Sequence, residues 1–125
     1  MHELGVVFYV IDHVKKVAEE NQVQHVDSVT VEIGEVTGVI HDQLTDCWNW
    51  AANREKLLKG TELVIETIHA ITHCNGCNRD YDTVQHGRTC PHCSSGETFL
   101  VTGNEFIVKE ISVSDEAPSY DVFQS

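Results

Sequence analysis

The sequence predicts an α+β fold: two helices on one face of a small three-stranded sheet, with a cysteine-rich module inserted between the second and third main strands. Two segments repeat apolar residues at helical spacing, and three others alternate apolar and polar residues or are rich in β-branched ones. Two C-x2-C pairs lie between the last two of these strands. The 125 residues are enough for one ordinary core and one small module.

The first predicted element is an amphipathic helix over residues 4–21. Charged residues cover its opposite side, and Glu3 suits the positive end of the helix dipole. We expect His13, which falls on this helix, to be solvated. The predicted apolar face consists of Leu4, Val7, Phe8, Ile11, Val14 and Ala18.

A strand and a second helix follow. The stretch SVTVEIGE alternates apolar and polar residues, which predicts a strand with one covered face. The second helix is predicted over residues 41–59, with Asp42 as its N-cap and Gly60 as its C-terminal stop. Its buried stripe is predicted to contain Leu44, Cys47, Trp48, Ala51 and Leu58. We interpret Cys47 as a small core residue without a chemical role.

The two remaining main strands bracket the cysteines. TELVIETIHAITH predicts one long second strand that leads into Cys74, and NEFIVKEISV predicts the third. The cysteine pairs should therefore project as an insertion from one end of the sheet. The predicted domains are an α+β domain of residues 1–73 and 104–113, a cysteine-rich module of residues 74–103, and an acidic, mobile tail of residues 114–125.

Four of the five cysteines form the pairs CNGC and CPHC, which are twelve residues apart: Cys74, Cys77, Cys90 and Cys93. Two such pairs can place four thiolates around Zn²⁺ at about 2.3 Å. Because four cysteines close the coordination sphere, a structural zinc is predicted rather than a catalytic one. Disulfides are less favoured because the cytoplasm keeps thiols reduced, and a redox-active pair is less favoured because nothing before Cys74 resembles a thioredoxin-type βαβ unit.

Two histidines beside the cysteine pairs leave an alternative open. His73 precedes the first pair, and His92 lies inside the second. If either replaced a thiolate in some states, the site would be a sensor. As solvated neighbours, or as hydrogen-bond donors to the ligands, they would leave the site structural.

The net charge of −12 disfavours a nucleic-acid partner, because an acidic surface repels phosphate. The charge is −7 over residues 1–73, zero over residues 74–93 and −5 over residues 94–125. A ribbon that binds nucleic acid should carry a basic stripe and exposed aromatic residues, whereas Tyr81 is the only aromatic residue in the neutral stretch. The charge favours metal ions and basic protein surfaces as partners.

The sequence also bears on location and on catalysis. No apolar run approaches the roughly 20 residues that cross a bilayer, and no signal peptide precedes the first helix. We therefore expect a cytoplasmic protein without a membrane partner. We expect no enzymatic activity, because no nucleophile is paired with a base and no glycine-rich phosphate loop is present.

Four stretches in combination resemble a known family. They are MHEL at the start, VEIGEVTGV, the two cysteine pairs with CPHC second, and GNEFIVKEISV. From Met1 to about Val113 the chain resembles the HypA/HybF family, the nickel metallochaperones of [NiFe]-hydrogenase maturation. The resemblance implies nickel binding by His2, zinc binding by the four cysteines, and two partners, a HypB-type maturation GTPase and the hydrogenase large subunit. The family pattern does not explain the acidic extension.

The chemistry of MHE agrees with a nickel site. The α-amine of Met1, the deprotonated amide of His2 and Nδ1 of its ring would close two fused chelate rings with three nitrogens in one plane. Ni²⁺ prefers such sets, whereas Zn²⁺ gains nothing comparable from them. Glu3 is a further candidate ligand, although a helix-end carboxylate is an equally supported role. His41 or Asp42 could complete the shell if the second helix begins near the terminus, but we favour helix capping for both.

Two functions remain open from the sequence. The first is a nickel metallochaperone with a transient Ni²⁺ site at His2 and Glu3 and a structural zinc site at the cysteines. The second is a zinc-ribbon adaptor that binds a protein partner without nickel.

Overall fold

The computed structural model describes residues 3–113 and 121–123 and confirms the α+β class. The described chain forms two compact units, and the second is an insertion in the sequence of the first. The first unit contains residues 3–32, 39–66, 107–113 and 121–123. The second unit contains residues 33–38 and 67–106, and therefore all four cysteines of the two pairs.

Helices and strands follow one another along the chain without repeats. In order they are α1 (Glu3–Glu20), β1 (Ser28–Gly34), α2 (His41–Ala52), β2 (Glu62–Ile68), β3 (Ile71–Cys74), β4 (Arg79–Asp82), α3 (Thr83–His86), β5 (Thr98–Thr102), β6 (Phe106–Ser112) and β7 (Asp121–Phe123). A short 3-10 helix, Lys56–Leu58, precedes β2. One sheet has the order β2-β1-β6-β7, and the other has the order β4-β3-β5. None of the described helices is long and apolar enough to cross a membrane.

Helix α1 buries a face that is rotated from the predicted one. The predicted Phe8 is 46% exposed, and Val6 and Val10 are buried instead. The prediction failed because α1 carries apolar residues on more than one side, so periodicity alone did not choose between two overlapping stripes. The expectation for His13 is also wrong at one atom, since its Nε2 is buried without a hydrogen-bond partner among the described residues.

Helix α2 begins at the predicted residue, His41, but its N-cap and its C-terminal end differ from the prediction. It ends at Ala52 rather than at residue 59, and its N-cap is Ile40 rather than Asp42. The N–H of Ile40 donates to Oε2 of Glu3 at 3.2 Å. The backbone amide of the N-cap residue therefore finds its hydrogen-bond acceptor 37 positions away in the sequence. Asp42 lies in the first turn, where a carboxylate suits the helix dipole.

Trp48 anchors the first unit. Its side chain is fully buried, and its indole N–H donates to the carbonyl oxygen of Thr61 at 2.9 Å. The hydroxyl of Thr61 donates to the carbonyl oxygen of Val26 at 2.6 Å. Helix α2 is thereby tied to the segments before β1 and β2 through a buried ring whose polar atom is satisfied. Truncating a residue of this kind to alanine typically costs about 3–5 kcal/mol of stability.

The first sheet has one more strand than predicted. Strand β7 pairs antiparallel with β6, with Ile111 opposite Phe123 and Ser112 opposite Asp121. Three residues are too few to show alternation in a sequence, which is why this strand was not predicted. The rest of the predicted tail, residues 114–120 and 124–125, lies outside the described residues.

The predicted long strand over residues 61–73 is two strands that belong to different sheets. At the break, buried Ala70 donates its N–H to Oε1 of Glu35 at 2.8 Å. Gly103 approaches so closely that a Cβ on it would lie 2.4 Å from Cβ of Ala70, and its φ of 115° is readily adopted only by glycine. These partners are distant in sequence, so the continuous β-branched pattern did not reveal the break.

In the second sheet, β3 is the central strand and pairs antiparallel with both neighbours. His73 is opposite Asp80 on β4 and opposite Phe99 on β5. A bulge between Ile71 and Thr72 interrupts the ladder with β5. The three paired side chains at the level of His73 therefore share one face of the sheet.

His69, which follows β2, lies between two carboxylates. Its Nε2 is 2.6 Å from Oδ1 of Asp82, and its Nδ1 is 3.2 Å from Oε1 of Glu35. The hydrogen bond with Asp82 is the largest cause that raises the pKa of His69; burial opposes it, and Glu35 contributes less. Because the same Glu35 oxygen accepts the N–H of Ala70, protonated His69 links the strand break to Asp82 on β4.

We predict that Asp82→Asn lowers the pKa of His69 and that Glu35→Gln lowers it less. A raised pKa means that the folded chain holds this proton more tightly than the unfolded chain does. The stability that protonated His69 adds to the folded chain is therefore fully present below the unfolded pKa of 6.5, and it is lost as pH rises through the folded pKa. An NMR titration of the imidazole resonances measures each midpoint.

The matched control for this titration is Asp46→Asn, which removes a carboxylate of α2 in the first unit. It should leave the His69 midpoint unchanged. An unchanged midpoint in Asp82→Asn would show that the pair with Asp82 is not the cause of the raised pKa.

Candidate metal centre

The four cysteines of the two pairs converge in the second unit. Their Sγ atoms all lie within 4.8 Å of one another, and none of the cysteines forms a disulfide. Cys74 and Cys90 are buried, Cys77 is half-buried and Cys93 is exposed. Across residues 3–113 and 121–123, this is the group of histidine, cysteine and carboxylate side chains that is arranged to hold a metal ion.

The sulfur spacing fits tetrahedral coordination. Sγ of Cys74 is 3.6 Å from Sγ of Cys93, and Sγ of Cys77 is 3.7 Å from Sγ of Cys90. Four sulfurs placed tetrahedrally at about 2.3 Å from one ion would be about 3.8 Å apart. The measured distances are close to that value and far longer than a disulfide bond of about 2.05 Å.

A backbone amide donates a hydrogen bond to the first sulfur of each cysteine pair. The N–H of Gly76 donates to Sγ of Cys74 at 3.2 Å, and the N–H of His92 donates to Sγ of Cys90 at 3.3 Å. In both pairs the donor lies two residues after the cysteine, so the two halves of the site repeat one local structure. Such bonds favour the thiolate over the thiol, which suits metal binding.

Each pair also closes with a residue in the left-handed region. Asn78 has a φ of 63° and Ser94 a φ of 64°. The N–H of Asn78 donates to the carbonyl oxygen of Cys74, and the N–H of Ser94 donates to that of Cys90, both at 2.9 Å. Asparagine tolerates this conformation better than most residues. The turn after each cysteine pair thus reverses the chain around the sulfurs.

Without a metal, the four thiols cannot all ionise near neutral pH. Burial and hydrogen bonds to neighbouring cysteines raise the pKa of Cys77 to about 12. Burial also raises the pKa of Cys90, but hydrogen bonds from the backbone amides of His92 and Cys93, together with those to Cys77 and Cys74, lower that pKa to about 7. A divalent cation would supply the charge that lets all four become thiolates. Four sulfurs without an open position match the donor set of structural zinc sites.

Neither neighbouring histidine enters the sulfur group in this structure. Nδ1 of His73 is 2.6 Å from Oδ1 of Asp80, and its Nε2 is 3.2 Å from Oδ1 of Asn78. Its ring centroid is 5.4 Å from that of Phe99. The side chain of His92 is exposed, and this residue serves the site through its backbone amide. The sulfur group is therefore all cysteine.

Cys47 is far less buried than a core residue. It is half-buried on α2 and lines an apolar cavity of about 300 Å³ together with Leu4, Asp46 and Trp50. The interpretation of Cys47 as a core residue is thus only partly correct. The other residues that line the cavity are two apolar side chains and one carboxylate, and this arrangement gives no reason to assign a chemical role to Cys47.

The predicted nickel ligand His2 and the amine of Met1 lie outside the described residues. Glu3 is described, and its carboxylate accepts the N–H of Ile40. This bond places Glu3 at the start of α2, where His41 and Asp42 follow directly. The sequence did not reveal the bond, because nothing in a local pattern joins residue 3 to residue 40.

A family model described as "Hydrogenase/urease nickel incorporation, metallochaperone, hypA" matches residues 1–113. This range includes MHE, the four cysteines and every described element except β7. The match therefore covers both the segment predicted to bind nickel and the sulfur group.

Individual relatives agree with the family model. The hydrogenase maturation factor HypA of Geobacter metallireducens is 33% identical and covers 90% of this chain and 99% of its own length. HypA of Dehalococcoides mccartyi strain 195 is 29% identical over 95% of this chain and 99% of its own. Hydrogenase maturation factor HybF of Klebsiella pneumoniae is 31% identical over 89% of this chain and 97% of its own.

The solution structure of the Ni metallochaperone HypA from Helicobacter pylori shares this fold. It matches with a TM-score of 0.65 at 22% identity and covers 89% of this chain and 96% of that one. The family model that matches residues 1–113 and the relative of 33% identity show that this chain belongs to the HypA family of hydrogenase and urease nickel-incorporation metallochaperones.

Proposed function

We propose that this protein carries Ni²⁺ as cargo at its N-terminus for [NiFe]-hydrogenase maturation, and that it holds a structural Zn²⁺ at its four cysteines. Membership of a nickel-incorporation family is the observation that carries the proposal. The sulfur group supports a second, separate metal, because a closed set of four thiolates retains its ion.

Cys74, Cys77, Cys90 and Cys93 would hold the zinc as thiolates. Zinc would supply binding free energy that a small module cannot obtain from apolar burial alone. The composition of the module's core supports this role, because its buried cluster consists of Cys74, Tyr81 and Cys90 with Cys77 packed against it. Three of these four residues are the proposed ligands themselves.

Nickel would bind through the amine of Met1, the amide nitrogen of His2 and Nδ1 of its ring. Glu3 is the proposed further ligand. The contact between Glu3 and Ile40 supports a site near the start of α2, where His41 and Asp42 offer additional donors. Because the amide of His2 must lose its proton, nickel binding should strengthen as pH rises.

The proposed partners are a HypB-type GTPase and the hydrogenase large subunit, both met in the cytoplasm. The name hydrogenase maturation factor, which the relatives carry, supports such partners. The net charge of −12 favours basic protein surfaces over nucleic acid. The protein would then act as a carrier rather than as an enzyme. The alternative of a zinc-ribbon adaptor without nickel leaves the match of residues 1–113 to a nickel-incorporation family unexplained.

We predict that Cys74→Ala and Cys90→Ala each abolish zinc binding and unfold the second unit, while α1 and α2 persist. The first unit should survive because it has its own core around Trp48. Native mass spectrometry counts the zinc. Hydrogen exchange should show lost protection over residues 67–106, and circular dichroism should retain most of the helical signal.

Cys47→Ala is the matched control for the zinc experiment, since the same substitution is made outside the sulfur group. It should retain one zinc per chain and normal protection. A collapse of helix content in the Cys74 or Cys90 variant would contradict the independence of the first unit. Retention of one zinc would contradict the proposed ligands.

We predict that one glycine added before Met1 removes specific Ni²⁺ binding, although His2 and Glu3 are unchanged. The added residue moves the amine away from the histidine and breaks the five-membered chelate ring. His2→Ala should also abolish binding, whereas Glu3→Gln should only weaken it. Titration calorimetry of the untagged, zinc-loaded chain measures the nickel affinity.

The matched control for the nickel experiment is one glycine added after Ser125, which should leave nickel affinity unchanged. Zinc content should be the same in every variant, since the two sites use different donors. Equal affinity in the two extended chains would exclude the amine as a ligand and reject the terminal chelate.

A further inference from the structure

A cleft in the first unit is formed by the C-terminal part of α1, the loop that follows it and the 3-10 helix before β2. Its volume is about 540 Å³, and every residue that lines it belongs to the first unit. We call it the lysine cleft. Its charged residues are Lys15, Glu19 and Lys56, and its apolar residues are Ala18, Val23 and Leu57.

Backbone hydrogen bonds fix the walls of the lysine cleft. The N–H of Val23 donates to the carbonyl oxygen of Ala18 at 2.9 Å, which closes the end of α1. The N–H of Val26 donates to the carbonyl oxygen of Leu57 at 3.1 Å, which joins the loop to the 3-10 helix. Because these bonds lie within the chain itself, the cleft does not have to be assembled by whatever binds to it.

Positive charge is concentrated around the lysine cleft. All five lysine and arginine residues within residues 1–73 lie in residues 15–16 and 54–59. The two stretches meet in the folded chain, because Nζ of Lys15 is 3.2 Å from Oε1 of Glu55. In a chain whose net charge is −12, this group of cations is a local surface of the opposite sign.

Three of these five cations are not neutralised within the part of the chain that the structure describes. Lys16, Lys56 and Lys59 form no ion pair with a described residue. By contrast Lys109, the remaining basic residue of the first unit, has its Nζ 2.7 Å from Oε1 of Glu66. Unpaired ammonium groups beside a preformed cleft are complementary to carboxylates that another molecule brings.

The lysine cleft suits carboxylates better than phosphates. Its cations are lysines, whereas the planar fork of arginine is better matched to phosphate. The cleft also lies beside the last turn of α1, where the helix dipole is negative and disfavours a concentrated negative charge. The apolar side chains of Ala18, Val23 and Leu57 offer a contact that a phosphate group does not use. An acidic protein segment that contains an apolar side chain uses both parts of the cleft.

We propose that the lysine cleft binds an acidic segment of a partner protein, in which apolar side chains lie between carboxylates. An apolar side chain enters the cleft against Val23 and Leu57, and the flanking carboxylates pair with Lys56 and Lys59. This inference does not depend on nickel binding. Because the ion pairs are exposed, an isolated segment should bind weakly, with a Kd of about 1 mM.

An NMR titration of the untagged, zinc-loaded chain with the end-capped peptide EELLEE tests the proposal. At about 0.15 M salt the Debye length is about 8 Å, so acidic residues far from the cleft are largely screened. Amide resonances of residues 15–24 and 54–59 should shift with a midpoint near about 1 mM peptide, while those of residues 79–86 should not shift. The peptides QQLLQQ, which has no charge, and EESSEE, which has no apolar side chain, should each bind at least about three-fold more weakly.

Lys56→Gln should weaken the binding of EELLEE by about two- to five-fold, the loss expected for one exposed ion pair. Lys109→Gln is the matched control, because it removes the same charge from the first unit at a residue outside the cleft. It should bind the peptide like the wild type. Equal loss in the two variants would show an effect of net charge alone and would overturn the proposal.

The map of shifted amides in the wild type keeps the proposal testable if Lys56→Gln fails to fold, which its amide spectrum would show. Absence of shifts at about 5 mM peptide, shifts confined to other residues, or equal binding of the three peptides would overturn the proposal. Tighter binding of a short oligothymidylate to the same residues would also overturn it, because the cleft would then be a nucleic-acid surface.

Discussion

The hydrogen bond from the N–H of Ala70 to the carboxylate of Glu35 stands where one run of β-branched sequence becomes two strands. Leaving that buried amide unpaired would cost about 1–3 kcal/mol, and a charged acceptor makes the bond stronger than a neutral one. Gly103 lies against Ala70, so the second unit begins and ends with segments in contact. An insertion needs such closely spaced ends if the strands on either side are to continue in their own sheet.

The two units differ in what can hold them together. The first has a conventional core in which Trp48 is fully buried and hydrogen-bonded. In the second, the buried cluster is Tyr81 with cysteines of the sulfur group. Core and proposed metal ligands are thus largely the same side chains there. Substitution of one of these cysteines removes core volume and a metal-binding sulfur at the same time. The second unit should therefore tolerate changes at these positions far less well than the first unit tolerates core changes.

Local patterns predicted the parts of the structure that depend on neighbours in sequence. The spacing of the cysteine pairs predicted a convergent sulfur group, and helical periodicity placed α1 within one residue at each end. Errors arose where a distant residue decided the outcome. Glu3 accepts the N–H of Ile40, the N-cap residue of α2, from 37 positions away, and Glu35 with Gly103 interrupts a continuous strand pattern. The exposure of Phe8 depends on which of two overlapping apolar stripes of α1 is buried, and helical periodicity does not decide between them.

The contact between Glu3 and Ile40 couples the terminus to a helix. If a metal took Oε2 of Glu3 as a ligand, as proposed, it would compete for that oxygen with the N–H of Ile40, the N-cap residue of α2. Thermodynamic linkage makes this competition reciprocal: whatever stabilises the capped start of α2 weakens the metal's hold on Glu3 by the same free energy. A partner that binds and stabilises the start of α2 would therefore weaken metal binding without contacting the nitrogen ligands. Metal release would then be controlled through a helix end.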